Sequence, residues 1–213
     1  MKKILKSWLL AAALCFCVTA AAERPMLIHS HNDYCRRAPF WQAYAQGVYS
    51  IEADVFLHDG RLLVGHDVED LSPDMTFESL YVEPIVTLFG RNGGRAWKDS
   101  DEGRQLMVEL KSATEPTLQA VTALLGRYPE VFDPAVNPEA VRIAVTGRVP
   151  APEDFGKYPA YVRFDGNWET DYTPDQLERI ALVSVNFRTY SQWNGKGSII
   201  PAERVKLETI IDR

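Results

Sequence analysis

Polar residues recur in pairs, two positions apart, at the ends of short apolar runs along most of the chain. The pairs are His29 and His31, Glu52 and Asp54, Glu109 and Lys111, Arg163 and Asp165, and Asn186 and Arg188. Residues at i and i+2 of a β-strand point to the same side of a sheet. Parallel strands with polar pairs at their carboxyl ends are typical of a (β/α) barrel, whose active site lies at that end. Any single pair is better explained as a strand end that meets solvent, so the prediction depends on the repetition.

Short apolar runs alternate with amphipathic stretches, which predicts an α/β protein with a mainly parallel sheet. The predicted strands are 26–31, 49–56, 106–110, 141–146, 160–164 and 181–186, and the predicted helices are 39–46, 117–128, 174–180 and 201–211. Asp59 and Gly60 lie between two extended runs and predict a β-hairpin, which makes His58 a turn-flanking residue without chemistry. We therefore expect a (β/α)8 TIM-barrel type of fold over residues 23–213, C-terminally incomplete, with about six of its strands present.

The amino-terminal segment MKKILKSWLLAAALCFCVTAAA has lysines, then an apolar stretch, then small residues. This order is typical of a cleaved secretory signal, and the apolar stretch is too short for a membrane span. We predict a signal peptide over residues 1–22, an exported protein that is periplasmic or secreted, and no transmembrane segment in the mature chain. Cleavage would leave Cys35 as the only cysteine, so no intramolecular disulfide would hold the fold.

The chain is acidic, with a formal net charge of -6. The predicted signal carries three lysines and no acidic residue, so its removal would make the chain more acidic still. Such a protein has no general basic field for nucleic acid, and we expect no nucleic-acid partner. A phosphate-bearing ligand would need a metal ion and a few locally placed cations.

Three carboxylates are candidate metal ligands. Glu52, Asp54 and Glu109 offer hard oxygen atoms, which suit Ca²⁺ or Mg²⁺, although an ion pair of Glu109 with Lys111 is the structural alternative. His31 and His66 could act as a paired base and acid, since imidazole titrates near neutral pH. His29 and His31 could instead be zinc ligands, but zinc sites of that kind need further histidines on later strands. The chain has four histidines and none after His66, which disfavours zinc.

The motifs occur in a specific order: His31 before Pro39, then Glu52-Ala53-Asp54, Asp59-Gly60, His66-Asp67 and Glu109-Leu110-Lys111. In this order the chain resembles the phosphatidylinositol-specific phospholipase C and glycerophosphodiester phosphodiesterase superfamily. The longer string HSHNDY, continued through PFWQAYAQGVYSIEADVFLHDGRLLVGHD, resembles the branch named for altered inheritance of mitochondria protein 6.

The resemblance implies a phosphoric diester hydrolase that acts on a glycerophosphodiester or a lipid headgroup, with a lyase outcome possible. It implies His31 as general base, His66 as general acid, Lys111 near the phosphate, and Glu52, Asp54 and Glu109 around the divalent cation. His29 would have a packing or supporting role. A non-catalytic barrel that binds a cation or a phosphate ligand is the alternative.

The chain departs from the glycerol-specific enzymes, which carry His-Arg-Gly and a downstream Glu-Asn-Thr. Here His31-Asn32-Asp33 stands at the first motif, and the second motif is absent. The arginine that orients the phosphate would then be replaced by one of three others: Arg36, Arg37 or Arg163.

Overall fold

The structure is a computed structural model that describes residues 27–98 and 104–212. The predicted signal peptide lies outside the described residues, as does residue 26 at the start of the first predicted strand. Within the described residues, no helix combines the length and apolar character needed to span a bilayer.

The chain alternates strands with helices, as the sequence pattern predicts. The strands are β1 (His29–Ser30), β2 (Ser50–His58), β3 (Arg61–Val64), β4 (Gln105–Leu110), β5 (Arg142–Gly147), β6 (Val162–Gly166) and β7 (Ile180–Val183). The α-helices are α1 (Trp41–Ala45), α2 (Glu83–Arg91), α3 (Thr114–Leu125), α4 (Pro129–Phe132), α5 (Pro174–Leu177), α6 (Phe187–Tyr190) and α7 (Pro201–Ile211). Short 3₁₀ helices cover Asp33–Cys35, Val68–Asp70 and Pro152–Lys157, and a π-helical segment, Glu78–Val82, leads into α2.

One sheet contains all the strands of the described residues, in the order β1-β2-β4-β5-β6-β7, with every neighbouring pair parallel. The sheet is curled and resembles half of a barrel. Strand β3 pairs with β2 in antiparallel fashion and forms the predicted hairpin. At its turn, Asp59 and Gly60 have φ values of 48° and 74°, as a two-residue turn of this type requires.

The register of the sheet decides which side chains share a face. Asp54 pairs with Glu109, and Glu109 pairs with Thr146, so these three lie side by side across β2, β4 and β5. The alternate residues point to the opposite face, where they pack with the helices. The largest fully buried side chains are Tyr81, Phe40, Phe77, Phe132, Phe164, Ile51, Ile85, Leu106, Leu110, Leu118, Leu125 and Ile143. The sheet therefore has an apolar face covered by helices and a polar face on its concave side.

The sequence-based predictions fail near β7. The predicted helix 174–180 ends at Leu177, and the predicted strand 181–186 ends at Val183. Asn186 is not on a strand: its side-chain oxygen accepts a hydrogen bond of 3.0 Å from the backbone N–H of Arg188 and caps α6. Asparagine is favoured at this capping position, where a helix begins. The prediction that Asn186 and Arg188 form a polar pair on a strand is therefore wrong.

The segment from Glu78 to Arg91 was not predicted at all, although its signal is present. Phe77, Tyr81, Ile85 and Leu88 recur at helical spacing, and all four are buried. Strand β1 is also shorter than predicted, because only His29 and Ser30 pair with β2.

Candidate functional site

Three carboxylates come together towards the carboxyl end of the segment over which β2 pairs with β4, from Ser50 to Val55. One oxygen atom from each of Glu52, Asp54 and Glu109 lies within 4.8 Å of the others. The side chains of Glu52 and Asp54 are 5% and 0% exposed, so two of the three acids are shielded from water. Buried carboxylates so close together repel each other and require compensating positive charge.

Asp54 uses its two oxygen atoms differently. Its Oδ2 accepts a hydrogen bond of 2.9 Å from the hydroxyl of Tyr34, and it lies 3.2 Å from Nζ of Lys111 and 3.4 Å from Nδ1 of His66. Its Oδ1 is buried and has no hydrogen-bond partner among the described residues. A buried carboxylate oxygen without a partner is costly, so a cation at this position would stabilise it.

Glu52 is surrounded by donors on the opposite side of the cluster. Its Oε2 accepts a hydrogen bond of 2.9 Å from the backbone N–H of Asn32, and it lies 3.7 Å from Nε2 of His29 and 3.6 Å from Nε2 of His31. Burial alone would raise the pKa of Glu52, but these hydrogen bonds and the nearby histidines outweigh burial and lower it. Glu52 is therefore ionised at neutral pH.

The two predicted catalytic histidines flank the carboxylates. His31 lies beside Glu52 and His66 beside Asp54, and their side chains are 71% and 52% exposed. Each ring thus contacts a buried acid and also faces solvent. This arrangement leaves ring nitrogen atoms available to a ligand that enters from the open side.

Lys111 provides part of the positive charge that the acids require. Its Nζ lies 3.2 Å from Asp54 Oδ2 and 3.2 Å from Glu109 Oε1. Burial lowers the pKa of Lys111, but the charges of Asp54 and Glu109 raise it by more, so the ammonium form persists. One lysine cannot neutralise three carboxylates, and the cluster keeps a negative charge that suits a divalent cation.

His29 lies one layer further from the carboxyl ends than the cluster. Its Nδ1 is 3.0 Å from Oγ of Ser50, and the same Oγ accepts a hydrogen bond of 3.0 Å from Nε2 of Gln105. Since its other nitrogen faces Glu52, His29 connects this polar layer to the candidate metal ligands. Neither Ser50 nor Gln105 was predicted as a site residue.

The loop after β1 contributes two further side chains that sequence reasoning missed. Asn32 adopts a left-handed backbone conformation, with φ of 49°, and its Oδ1 is buried without a hydrogen-bond partner among the described residues. Tyr34 contacts both Asp54 and His66. The adjacency of both residues to His31 was the available signal, but sequence spacing does not show which way a loop turns.

Asp33 holds this loop in place. It is fully buried, and it accepts hydrogen bonds from the hydroxyls of Ser30 and Tyr81 at 2.8 and 3.2 Å and from the backbone N–H of Phe40. The residue that marked a departure from the glycerol-specific enzymes is therefore an anchor for the loop that carries Asn32 and Tyr34.

The three candidate arginines lie in different places. Arg36 and Arg37 are exposed in the loop after β1. Arg163 pairs with Ala144 and lines a cavity of about 560 Å³ together with Gln105 and Arg142, which begin their strands. That cavity is at the amino ends of the strands, so the prediction that Arg163 shares the carboxyl-end site with Asp165 is wrong. The reason is its position along the strand, because Arg163 is only the second residue of β6 and so lies near the amino end.

Asp165 is on the concave face, one strand beyond Thr146. Its Oδ2 accepts a hydrogen bond of 2.9 Å from the hydroxyl of Thr146, and its Oδ1 accepts one of 2.8 Å from the backbone N–H of Ser184. Both oxygen atoms of Asp165 therefore have a neutral donor, whereas Oδ1 of Asp54 has no partner among the described residues.

The protein is of the α/β class, with a curled parallel sheet, and its polar cluster lies at the edge of the sheet where proteins of this class commonly build a ligand site. A family model described as "AIM6-like phosphodiesterase domain" matches residues 19–131, just over half of the chain, and the chain belongs to this family. All six predicted site residues lie within the matched segment.

Curated relatives agree with this family. Altered inheritance of mitochondria protein 6 of Eremothecium gossypii is 51% identical over 63 residues, which cover 29% of this chain and 16% of that protein. The homolog from Arthroderma benhamiae is 40% identical over 78 residues, or 34% of this chain and 25% of that protein. The protein from Saccharomyces cerevisiae strain S288c is 39% identical over 83 residues, or 38% of this chain and 20% of that protein. The matches thus span a quarter or less of these relatives, and no solved structure matches the chain.

The expectation of an exported, periplasmic or secreted protein is contradicted by these relatives. They are named for altered inheritance of mitochondria, which points to a mitochondrial association rather than to export. The prediction of a secretory signal rested on the order of lysines, apolar residues and small residues alone. That order does not identify a destination by itself.

Proposed function

We propose that the protein is a metal-dependent phosphoric diester hydrolase that acts on a glycerophosphodiester or a phospholipid-type headgroup. One observation carries the proposal: three carboxylates whose oxygen atoms lie within 4.8 Å are flanked by two exposed histidines and a lysine. We further propose that the curled sheet is part of a (β/α)8 barrel, whose carboxyl-end mouth would be the substrate site.

The residues present fit a divalent cation with oxygen ligands. Glu52, Asp54 and Glu109 would hold it, and the unpartnered Oδ1 atoms of Asp54 and Asn32 supply further oxygen donors of the kind that Ca²⁺ and Mg²⁺ prefer. When bound, such an ion polarises a phosphoryl oxygen and offsets negative charge on the phosphate.

The side chains around the carboxylates would carry out the proton transfers. His31 would accept the proton of the attacking hydroxyl, and its ring is held by Glu52. His66 would donate a proton to the departing oxygen. Lys111 would place its positive charge against the phosphate, in addition to its contacts with Asp54 and Glu109.

The attacking group could come from water or from the substrate itself. If the headgroup carries a hydroxyl next to the phosphodiester, internal attack forms a cyclic phosphate and releases an alcohol, which is a lyase outcome. A diester without such a hydroxyl is cleaved only by water. Product analysis on the two substrate types therefore separates the two routes.

The proposal is tested by hydrolysis of bis(p-nitrophenyl) phosphate and of a glycerophosphodiester, each with and without EDTA. We expect EDTA to abolish turnover and Ca²⁺ or Mg²⁺ to restore it. His31→Ala should reduce turnover by about 10²- to 10⁴-fold, which is the range for loss of a general base. Glu52→Gln should reduce it as well and raise the cation concentration required. Activity that persists in EDTA, or that survives both substitutions, would contradict the mechanism.

A second function is favoured by the position of Lys111. Its ammonium group already lies at hydrogen-bond distance from two of the three carboxylates, which is a stable arrangement without substrate. A non-catalytic protein that binds a cation or a phosphate ligand would have the same geometry. Calorimetric titration with Ca²⁺, Mg²⁺ and inorganic phosphate, together with the turnover assay, separates the two functions, because this one gives binding without turnover.

A further inference from the structure

Tyr34 connects the candidate metal site to the candidate general acid. Tyr34 is 7% exposed, and its hydroxyl oxygen lies 2.9 Å from Asp54 Oδ2 and 3.2 Å from His66 Nδ1. The 3₁₀ helix that carries it, Asp33–Cys35, is anchored through the buried Asp33. The position of the hydroxyl is therefore fixed by the fold before any ligand binds.

The groups around the hydroxyl of Tyr34 determine to which of them it donates its hydrogen atom. A tyrosine hydroxyl has one hydrogen atom, which it donates to Asp54. Burial first, and then the adjacent Asp54, raise the pKa of Tyr34 well above its ordinary value, so the hydroxyl keeps this hydrogen. Towards His66, the hydroxyl oxygen can then only accept.

His66 Nδ1 thus faces two acceptors and no donor within this group. The Tyr34 oxygen is one, and Asp54 Oδ2, 3.4 Å away, is the other, because this oxygen already accepts from the hydroxyl of Tyr34 and lies beside the ammonium group of Lys111. A ring nitrogen between two acceptors carries hydrogen. The side chain of His66 is 52% exposed, so Nε2 lies on the open side of the ring.

We propose that Tyr34 is a positioning residue that holds His66 as the Nδ1–H tautomer and directs Nε2 towards the substrate. The catalytic consequence of this inference rests on the proposed function, whereas the tautomer of His66 does not. In the reaction, the P–O bond to the leaving group breaks, and its electron pair stays on the leaving oxygen. At the same time, the Nε2–H bond of imidazolium His66 breaks. The proton forms the O–H bond of the released alcohol, and His66 remains as the neutral Nδ1–H ring.

The tautomer is measured directly by long-range ¹H–¹⁵N correlation spectra of the full chain at about pH 9, well above the range in which free imidazole titrates. His66 signals are identified by their loss in His66→Gln. We expect the Nδ1–H form to dominate, and the ratio of Nδ1–H to Nε2–H to fall about fivefold in Tyr34→Phe, as loss of one hydrogen bond predicts. The control is Tyr161→Phe, which removes a partly buried hydroxyl that donates to the carbonyl of Thr122 at 3.3 Å.

Two results would overturn the proposal: a dominant Nε2–H form in the unsubstituted protein, or an unchanged ratio in Tyr34→Phe, which would mean that Asp54 alone sets the tautomer. The measurement uses no substrate, so it stands even if the protein hydrolyses no diester. Conversely, absence of turnover on every diester with a confirmed Nδ1–H tautomer would refute only the proposed function.

A kinetic comparison tests the consequence. A general acid matters most for a poor leaving group such as a glycerol alkoxide, and little for p-nitrophenoxide. Tyr34→Phe should therefore reduce kcat on the glycerophosphodiester about tenfold and kcat on bis(p-nitrophenyl) phosphate about twofold or less, as expected for weakened acid catalysis. Equal losses on both substrates would instead indicate a structural role and would overturn the assignment to proton donation.

Discussion

The region of the sheet formed by β1, β2 and β4 and the region formed by β6 and β7 both carry polar pairs, but they hold them differently. In the first, Asp54 is fully buried and one of its oxygen atoms has no partner among the described residues. In the second, Asp165 is only partly buried, and a hydroxyl and a backbone N–H satisfy its two oxygen atoms. The same local pattern therefore produces a buried carboxylate with an unpartnered oxygen atom in one place and a satisfied strand end in the other.

The helices show the same contrast. Helix α3 buries Thr117, Leu118, Val121, Leu124 and Leu125 against the sheet, whereas α7 has no buried residue. Polar groups acquire unusual energetics only where surrounding elements exclude water. What distinguishes the two regions is thus the packing around the polar residues, not the residues themselves.

The largest expected effect contrasts matched substitutions in the two regions. Asp54→Asn should reduce diester turnover by about 100-fold or more, since even outer partners of metal ligands cost 10- to 100-fold. Asp165→Asn should change it by about twofold or less, because an asparagine can still accept from Ser184. Both are measured as kcat/KM on bis(p-nitrophenyl) phosphate. Equal losses would show that the site extends across to β6.

The sequence predicted more of the first region than of the second, for a physical reason. Glu52 and Asp54 lie within β2 and alternate with its apolar residues, so their common face could be inferred from period alone. Asn186 and Arg188 follow a similar apolar run, but a side-chain cap begins a helix there and ends the strand pattern. Tyr34 could not be predicted, because its contacts with Asp54 and His66 join residues that lie 20 and 32 positions away.

The next effect concerns cation binding, which should stabilise the folded protein only through the region of β1, β2 and β4. A ligand that binds the folded state at 100 times its Kd adds about 2.7 kcal/mol to the free energy of unfolding. We expect Ca²⁺ or Mg²⁺ to raise the stability of the unsubstituted protein and of Asp165→Asn by a similar amount. Glu52→Gln should lose most of this gain. Urea unfolding with and without the cation measures it, and a gain retained in Glu52→Gln would place the cation elsewhere.

A smaller effect tests the packing of the two helices directly. Val121 in α3 is 0% exposed and Val205 in α7 is 60% exposed. Val121→Ala should lower the free energy of unfolding by about 2 kcal/mol through lost burial and the cavity left behind. Val205→Ala should change it by about 0.5 kcal/mol or less, since alanine is also the better helix former. Similar losses in urea unfolding would mean that α7 is packed as firmly as α3.

The smallest expected effect lies in the second region and tests whether that region opens on its own. Thr173 caps α5: its hydroxyl oxygen accepts from the backbone N–H of Gln176 at 3.3 Å, while Gln176 Oε1 accepts from the backbone N–H of Thr173 at 2.9 Å. Thr173→Ala removes one of these bonds, which typically costs about 1 kcal/mol, and Thr173→Ser keeps it.

If β6 and β7 open locally, this cost should appear as hydrogen exchange about fivefold faster at the amides of β7, with the global free energy of unfolding nearly unchanged. A full loss of about 1 kcal/mol in global unfolding, without faster local exchange, would instead show that the edge unfolds together with the sheet that carries Asp54. The contrast between the two regions would then be one of chemistry alone. A local response would mean that the edge adds little to the rigidity of the carboxylate cluster, because its opening leaves the pairing of β2 with β4 intact.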